Sequence, residues 1–192
     1  KFSNDAIQYA IGFLMDALQK SYEDIPQVVG YLKDIRADIL ENYEVFAGTQ
    51  EPAGSEGQLA TPWMKELPFR RYKVNVIVDN SQLKGSPVIF EENPTYLNLF
   101  GRIEKEAQFG SLTTDFTLVK GGSIHRANGG YLVLPVEGLL GNPLSYDGLK
   151  RALRNNKISI EEPGERLGFM TTKTLTPQPI PLVVKVILVG QP

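Results

Sequence analysis

The sequence of 192 residues contains no cysteine and a single histidine, His125. Without cysteine the chain can form no disulfide, no thiolate nucleophile and no cysteine-based zinc site. One histidine cannot supply the pair of imidazole ligands that many zinc sites use. The lack of cysteine agrees with a reducing compartment, and we therefore expect a cytoplasmic protein.

Long apolar runs and an excess of basic charge are also missing. No stretch of 18 or more apolar residues occurs, so we expect no membrane span. The sequence has 20 Lys and Arg against 22 Asp and Glu, and it lacks the basic excess that neutralises nucleic-acid phosphates. Nucleic acid is therefore not an expected partner. With 42% hydrophobic and 22% charged residues, the composition is typical of a folded globular chain.

Residues 1–47 have the periodicity of helices. The first apolar stripe recurs at three- and four-residue steps and consists of Ala6, Ile7, Ala10, Ile11, Leu14 and Leu18. Ile25-Pro26 interrupts it. The second stripe consists of Val28, Val29, Leu32, Ile35, Ile39 and Tyr43. Two helices joined by a short turn predict an antiparallel hairpin in which the two stripes face each other.

The remainder of the chain changes from a loop-like to a mixed pattern. Glycine and proline punctuate residues 48–69, which predicts a linker or a long loop. Within residues 70–192 we predict strands at 72–79, 87–91, 131–134 and 183–189, helices at 95–108 and 149–155, and a hairpin of 158–160 with 169–175. The apolar strands at 131–134 and 183–189 are expected to be buried in a parallel sheet. Alternating buried strands and helices predict a three-layer α/β domain, separate from the N-terminal helical hairpin.

The order of several short motifs carries more information than any one of them. Asn98-Leu99-Phe100-Gly101 is followed by Phe109-Gly110, by Gly121-Gly122 and by the run RANGGYLVL at residues 126–134. This order resembles the central part of the ATPase module of Lon-related ATP-dependent proteases, in which a glycine pair leads into the Walker B strand. The resemblance covers residues 70–192. It implies a partial AAA+ module of the P-loop NTPase type, with residues 1–47 as a helical insertion.

The resemblance also implies a function for the whole protein. ATP and Mg²⁺ would be its cofactors, self-association would form a ring, and unfolded polypeptides would be delivered to a serine–lysine peptidase domain. The Walker B-like strand comprises Tyr131, Leu132, Val133, Leu134 and Pro135. In P-loop ATPases, acidic residues at the end of this strand hold Mg²⁺ and orient the attacking water. Here Pro135 and Val136 stand in those positions, and Glu137 follows one place later.

Other candidate site residues come from the same resemblance. Gln191 follows the last predicted strand, where the family has a polar sensor of the γ-phosphate. Arg151 and Arg154 share a helix face, either as an arginine finger for a neighbouring subunit or as a solvated or salt-bridged pair. Phe109 beside Gly110 is a candidate pore-loop aromatic that grips substrate, although an apolar residue that closes the domain explains it equally well.

Two motifs of an active ATP-dependent protease do not occur in the sequence. There is no G-x-x-x-x-G-K-[ST] phosphate-binding motif and no serine–lysine pair in a recognisable catalytic setting. We therefore expect an internal segment that by itself neither binds ATP tightly nor hydrolyses ATP or peptides. Two alternatives stay open: a degenerate AAA+ scaffold for protein–protein interaction, which Pro135 favours, and a AAA+ ATPase of the transcription-activator type, whose exposed Phe loop the segment at Phe109 matches poorly.

Overall fold

A computed structural model of the protein describes residues 2–46, 69–108, 111–162, 164 and 175–190. The chain divides into two compact units, Lys1–Lys73 and Val74–Pro192. No helix in the described part of the chain is long and apolar enough to cross a membrane.

The first unit contains the predicted helical hairpin. Helix α1 spans Phe2–Ser21, α2 spans Pro26–Glu41, and a short helix α3 spans Tyr43–Phe46. Pro26 occupies the start of α2, where its missing N–H has no helical partner in any case. Helices α1 and α2 are in contact, and Arg36 Nη1 of α2 lies 2.8 Å from Asp16 Oδ1 of α1.

The packing face of α1 differs from the predicted stripe. Leu14 and Leu18 are 62% and 43% exposed, whereas Gly12 and Met15 are buried. Ala10 of the predicted stripe is exposed as well. The prediction was therefore wrong for Ala10, Leu14 and Leu18. Apolar residues cover more than half of the circumference of α1, so periodicity alone does not determine which side packs. The apolar stripe of α2 is half-buried, as predicted.

Residues at the end of the first unit are attached to α2 through Asp38. Arg71 Nη1 lies 3.1 Å from Asp38 Oδ1, and the hydroxyl of Tyr72 donates a hydrogen bond to Asp38 Oδ2. Burial, reinforced by this hydrogen bond, raises the pKa of Tyr72 to about 12. Side-chain contacts therefore fix the chain just before the second unit begins.

The second unit is a mixed α/β structure. Its helices are α4 Tyr96–Phe100, α5 Ser123–Arg126, α6 Val136–Leu140 and α7 Pro143–Asn155. Its strands are β1 Val88–Phe90, β2 Arg102–Ile103, β3 Glu106–Gln108, β4 Ser111–Thr113, β5 Val119–Lys120, β6 Tyr131–Pro135, β7 Lys157–Ile158, β8 Ile180–Pro181 and β9 Lys185–Val189. Strands β1, β6 and β9 form a parallel sheet in that order, and the pairs β2–β5, β3–β4 and β7–β8 are antiparallel.

The helices of the second unit cover one face of the parallel sheet. Leu132 and Leu134 of β6 are fully buried in a cluster with apolar residues of α4, α5, α6 and α7. The alternate side chains point to the other face, where Phe90 and Ile187 flank Val133 in register and are 57% and 44% exposed. The described residues thus form an α/β structure with a parallel sheet and one helical layer. The third layer stays a prediction.

The predicted helix at 95–108 is wrong beyond Phe100. Helix α4 ends there, and β2 and β3 follow. Gly101 has φ +82°, and a Cβ placed on it would lie 2.1 Å from the carbonyl oxygen of Lys120. The close approach of strand β5 therefore ends this helix.

The predicted strands are confirmed in position at β1 and β6 but need correction elsewhere. Strand β9 begins at Lys185 and lies at the edge of the described sheet, with its side chains mostly exposed, so the expectation of a buried strand at 183–189 is wrong. Residues 72–79 lie in no sheet, which contradicts the strand predicted there. Strand β7 pairs with β8, and most of the predicted second hairpin strand, 169–175, lies outside the described residues.

Candidate functional site

The carboxyl ends of β1, β6 and β9 lie at the same edge of the sheet because the three strands are parallel. Glu91 follows β1, Pro135 ends β6 and Gly190 follows β9. We call this set of strand ends, together with Val136 and Glu137, the carboxyl edge. In open α/β sheets, ligands bind outside the carboxyl ends of the strands.

The central strand β6 is rigidly positioned from its first residue. Tyr131 N donates to the carbonyl oxygen of Pro87, 2.8 Å away. A Cβ placed on Gly130 would lie 2.0 Å from the same oxygen, so only glycine permits this approach. Leu132 pairs with Ile89 on one side and with Val186 on the other. The glycine pair before the strand therefore has the structural role that the sequence motif implies.

Glu137 lies at the carboxyl edge although it is one position late in the sequence motif. It belongs to the first turn of α6, which begins immediately after Pro135. A Cβ placed on Gly190 would lie 2.9 Å from Val136 Cγ1 and 3.4 Å from Glu137 Oε1. The carboxylate of Glu137 is thus adjacent to the end of β9.

Glu91 is a second carboxylate at this edge, and sequence reasoning did not single it out as a site residue. Its N–H donates to the carbonyl oxygen of Val133, 3.0 Å away, which extends the pairing of β1 with β6. Its side chain is 14% exposed, with Oε2 3.6 Å from Arg126 Nη2, and Oε1 accepts a hydrogen bond from the N–H of Asn93. The available signal was an acidic residue at the end of a predicted strand.

The residues present meet part of the requirement for a nucleotide-bound Mg²⁺. Groups of three or more metal-ligating side chains do not occur within the described ranges. Mg²⁺ is commonly held by only one or two carboxylates together with substrate phosphates and water, so Glu137 fits as a ligand. The side chains of Pro135 and Val136 carry no ligand atom. The sequence also lacks the glycine-rich phosphate-binding motif.

The structure does not bring Arg151 and Arg154 together with Glu137. Arg151 Nη2 lies 2.8 Å from Glu161 Oε2, and Arg154 is exposed in the last turn of α7. The end of α7 contacts the segment before β9, because Leu182 N donates to the carbonyl oxygen of Asn156. The arginines therefore lie toward the amino end of the sheet. Their action on a neighbouring subunit stays a prediction.

The remaining sequence candidates lie outside the described residues. Gln191 follows Gly190, the last described residue. Phe109 and Gly110 stand between Gln108 and Ser111, which pair with each other across β3 and β4. The sensor and pore-loop roles therefore stay predictions.

His125 has a structural position beside the glycine pair Gly121-Gly122. Its Nδ1 accepts a hydrogen bond from the N–H of Gly122 at 3.2 Å. The residue is 4% exposed, and its buried Nε2 has no hydrogen-bond partner in the described part of the chain. Burial lowers the pKa of His125 to about 4. The imidazole is therefore neutral at pH 7 and carries its proton on Nε2.

The sequence comparisons agree with this geometry. The family model described as LonB-like, AAA domain matches residues 84–192, more than half of the chain. The match includes the parallel sheet, the Walker B-like strand and the carboxyl edge, and it confirms the resemblance to Lon-related AAA+ proteins. AAA domains in general bind nucleotides. No curated protein matches the chain.

Proposed function

The chain belongs to the family of LonB-like AAA domains, and from this we propose that it is part of the ATPase and substrate-translocation module of a Lon-related ATP-dependent serine protease. The whole protein would assemble into a ring, unfold polypeptide substrates and deliver them to a peptidase domain. The phosphate-binding loop and the serine–lysine site would lie outside these 192 residues. The helical hairpin of α1 and α2 would be an insertion into the module.

The open face of the parallel sheet supports a larger AAA+ domain. Parallel sheets are normally covered on both faces, whereas here Val88, Phe90, Ile187 and Val189 are 66%, 57%, 44% and 48% exposed. These side chains form an apolar surface on the face opposite the helices. A further helical layer, contributed by the rest of the ATPase module, would bury them and complete the three-layer fold.

The position of Glu137 is the observation that carries the proposal of ATP hydrolysis. When bound, ATP–Mg²⁺ supplies the phosphoryl group and the metal charge. The carboxylate of Glu137, beside the end of β9, would bind the metal or accept a hydrogen bond from the attacking water. Pro135 and Val136 take no part, so a single carboxylate would replace the acidic residues that other AAA+ proteins place there.

The test requires the protein encoded by the complete reading frame. ATP turnover and degradation of fluorescein-labelled casein would be measured for the wild type, for Glu137→Gln and for Glu92→Gln, a matched control at an exposed position after β1. We expect Glu137→Gln to bind ATP but to lose roughly a hundredfold or more of its turnover, as is usual when a residue that activates the nucleophile is removed. Glu92→Gln should resemble the wild type. Full turnover in Glu137→Gln would contradict the role of Glu137.

A nucleotide-independent scaffold is the second candidate, and Pro135-Val136 is the observation that favours it. These residues replace the acidic end of the Walker B strand without disturbing it, since Pro135 still pairs with Val189. In this case the wild-type protein would form its complexes but show no ATP turnover. The same assay, combined with analytical ultracentrifugation with and without ATP, separates the two functions.

A further inference from the structure

Helix α1 is apolar on two opposite faces. On the inner face, Met15 is buried, and a Cβ placed on Gly12 would lie 3.7 Å from Arg36 Nη2 of α2. The outer face, which we call the α1 face, consists of Tyr9, Ala10, Phe13, Leu14, Ala17 and Leu18. All six are exposed in the described part of the chain, and Tyr9 and Phe13 are 90% and 81% exposed. A helix that is apolar all round is normally buried all round.

The charged residues next to the α1 face do not prevent its burial. Asp16 Oδ1 lies 2.8 Å from Arg36 Nη1, so its charge already has a partner when water is excluded nearby. Lys20 lies in the last turn of α1, beyond the apolar residues, and its long side chain can keep the ammonium group in water. The α1 face can therefore be covered without the burial of an unpaired charge.

The residues of the α1 face are arranged symmetrically along the helix. Their midpoint lies between Phe13 and Leu14, and Ala10 and Ala17 lie at equal distances on either side of it. A contact between two copies related by a twofold axis requires a surface that is complementary to itself. When two copies of α1 run antiparallel about this midpoint, each Ala10 lies opposite Ala17 of the other copy. Phe13 and Leu14 then lie closest to the axis, and the small alanines on either side let the helices approach.

The α1 face is also large enough for a specific contact. A buried aromatic side chain contributes about 150–250 Å². Tyr9 and Phe13 of two copies therefore supply about half or more of the ~1,000 Å² that a specific interface requires. The exposed leucines and alanines of the same face add to this area.

We propose that the α1 face binds the α1 face of a second copy of this chain, antiparallel and related by a twofold axis. Each α1 is then covered by its own α2 on one side and by the other α1 on the opposite side. This contact closes at two copies, whereas a ring requires a head-to-tail contact that continues from one copy to the next. The inference therefore does not depend on the proposed ATPase function or on the proposed ring.

The first test measures self-association of the 192-residue chain by sedimentation equilibrium. The wild type is compared with Phe13→Glu and with Phe90→Glu, a matched control at an exposed phenylalanine of the parallel sheet. We expect dimers of the wild type and of Phe90→Glu. Phe13→Glu should associate roughly tenfold or more weakly, because the contact would bury its charge. Glutamate is a good helix former, and circular dichroism verifies that both variants fold.

Two results of this measurement would overturn the proposal. A monomeric wild type would mean that residues of the same chain, or another protein, cover the α1 face. A dimer weakened by Phe90→Glu and not by Phe13→Glu would place the contact on the sheet.

The second test uses disulfide cross-linking, since the chain has no cysteine of its own. In Ala10→Cys/Ala17→Cys the two thiols lie about 10 Å apart along one helix, too far for a disulfide within one chain. In the antiparallel contact each thiol lies opposite the other kind in the second copy, so we expect a covalent dimer on mild oxidation. Ala10→Cys alone should not cross-link, because a thiol at this position lies opposite Ala17.

The control for cross-linking is Asp34→Cys/Glu41→Cys, which has the same spacing at exposed positions of α2. We expect no covalent dimer from this pair. Cross-linking of the control to the same extent would show random collision, and cross-linking of Ala10→Cys alone would show a parallel contact. Either result, or no covalent dimer of Ala10→Cys/Ala17→Cys, would contradict the proposed contact.

Discussion

The burial of neutral His125 should make the stability of the second unit depend on pH. Burial lowers its pKa from the ordinary value of 6.5 to about 4. Between these two pH values the unfolded chain binds a proton that the folded chain does not bind. By linkage, the free energy of unfolding rises with pH in this window, so acidification destabilises the fold. Above pH 6.5 His125 contributes no pH dependence.

The size of this effect follows from the difference between the two pKa values. At ~1.36 kcal/mol per pKa unit, the shift of His125 corresponds to about 3 kcal/mol between pH 6.5 and pH 4. A typical domain is stable by only ~5–15 kcal/mol, so one imidazole accounts for a substantial part of the acid sensitivity. Its 4% exposure leaves little solvent to reduce the effect.

The single histidine makes the measurement unambiguous. In an untagged chain, the imidazole Cε1–H signal in an NMR titration reports His125 alone, and we expect a midpoint near pH 4. Urea unfolding from pH 7 to pH 4.5 should show a steeper loss of stability for the wild type than for His125→Asn, whose amide oxygen can accept the N–H of Gly122 without titrating. The carboxylates are common to both proteins and cancel in this comparison. A midpoint near 6.5, or the same pH dependence in both proteins, would refute the reasoning.

The remaining predictions concern the strands that position the carboxyl edge, and urea unfolding measures each of them. Leu132→Ala removes a fully buried side chain and should lower the free energy of unfolding by ~2–5 kcal/mol. Val88→Ala, at a site 66% exposed, should lower it by about 0.5 kcal/mol or less. Equal losses in the two variants would contradict the described core. Gly130→Ala forces a Cβ against the carbonyl oxygen of Pro87 and should cost ~1–3 kcal/mol, with faster hydrogen exchange at residue 131. Asn128→Asp keeps the acceptor for the N–H of Val183 but loses the donor to the carbonyl oxygen of Pro181. It should lower the free energy of unfolding by ~1–3 kcal/mol. Wild-type stability of this variant would show that the hydrogen bond to Pro181 is unimportant.

The central strand β6 and its burial were predictable because its own residues are apolar. An apolar run after two glycines predicts a buried strand, and Leu132 and Leu134 are both fully buried. The same reasoning overestimated the burial of β9. Apolar composition indicates that a surface needs to be covered, but it does not show which part of the protein covers it. At Ile187 and Val189 the described residues leave 44% and 48% of the residue surface exposed.

The errors elsewhere result from contacts between distant parts of the chain. Helical periodicity continues past Phe100, but the approach of Lys120 to Gly101 ends α4. The valine pattern at 74–79 has strand propensity, yet a strand in a sheet also requires a neighbour, and no described strand pairs there. Local sequence patterns contain neither kind of information.

The candidate site was partly predictable, since the Walker B-like strand and Glu137 came from the motif. The proximity of Glu137 to Gly190 could not be predicted, because it depends on where α6 begins. Glu91 was missed as a site residue because its role at the edge depends on the pairing of β1 with β6. Arg151 and Arg154 share a helix face as expected, but the direction of α7 places them toward the other end of the sheet.

The glycine motifs of this family fix close contacts between backbone segments. The chain can therefore match the family model although it lacks acidic residues at the end of the Walker B-like strand. Gly101 meets Lys120, and Gly130 meets Pro87, so glycines far apart in sequence are each matched to one backbone partner. Pro135 satisfies a different requirement: it ends β6 and caps α6 with φ −68°, a value that proline adopts without strain. The fold therefore tolerates the loss of an acidic residue at this position. Family membership consequently establishes a LonB-like AAA domain. The proposed capacity for ATP hydrolysis depends on whether Glu137 performs the role of the residues that Pro135 and Val136 replace.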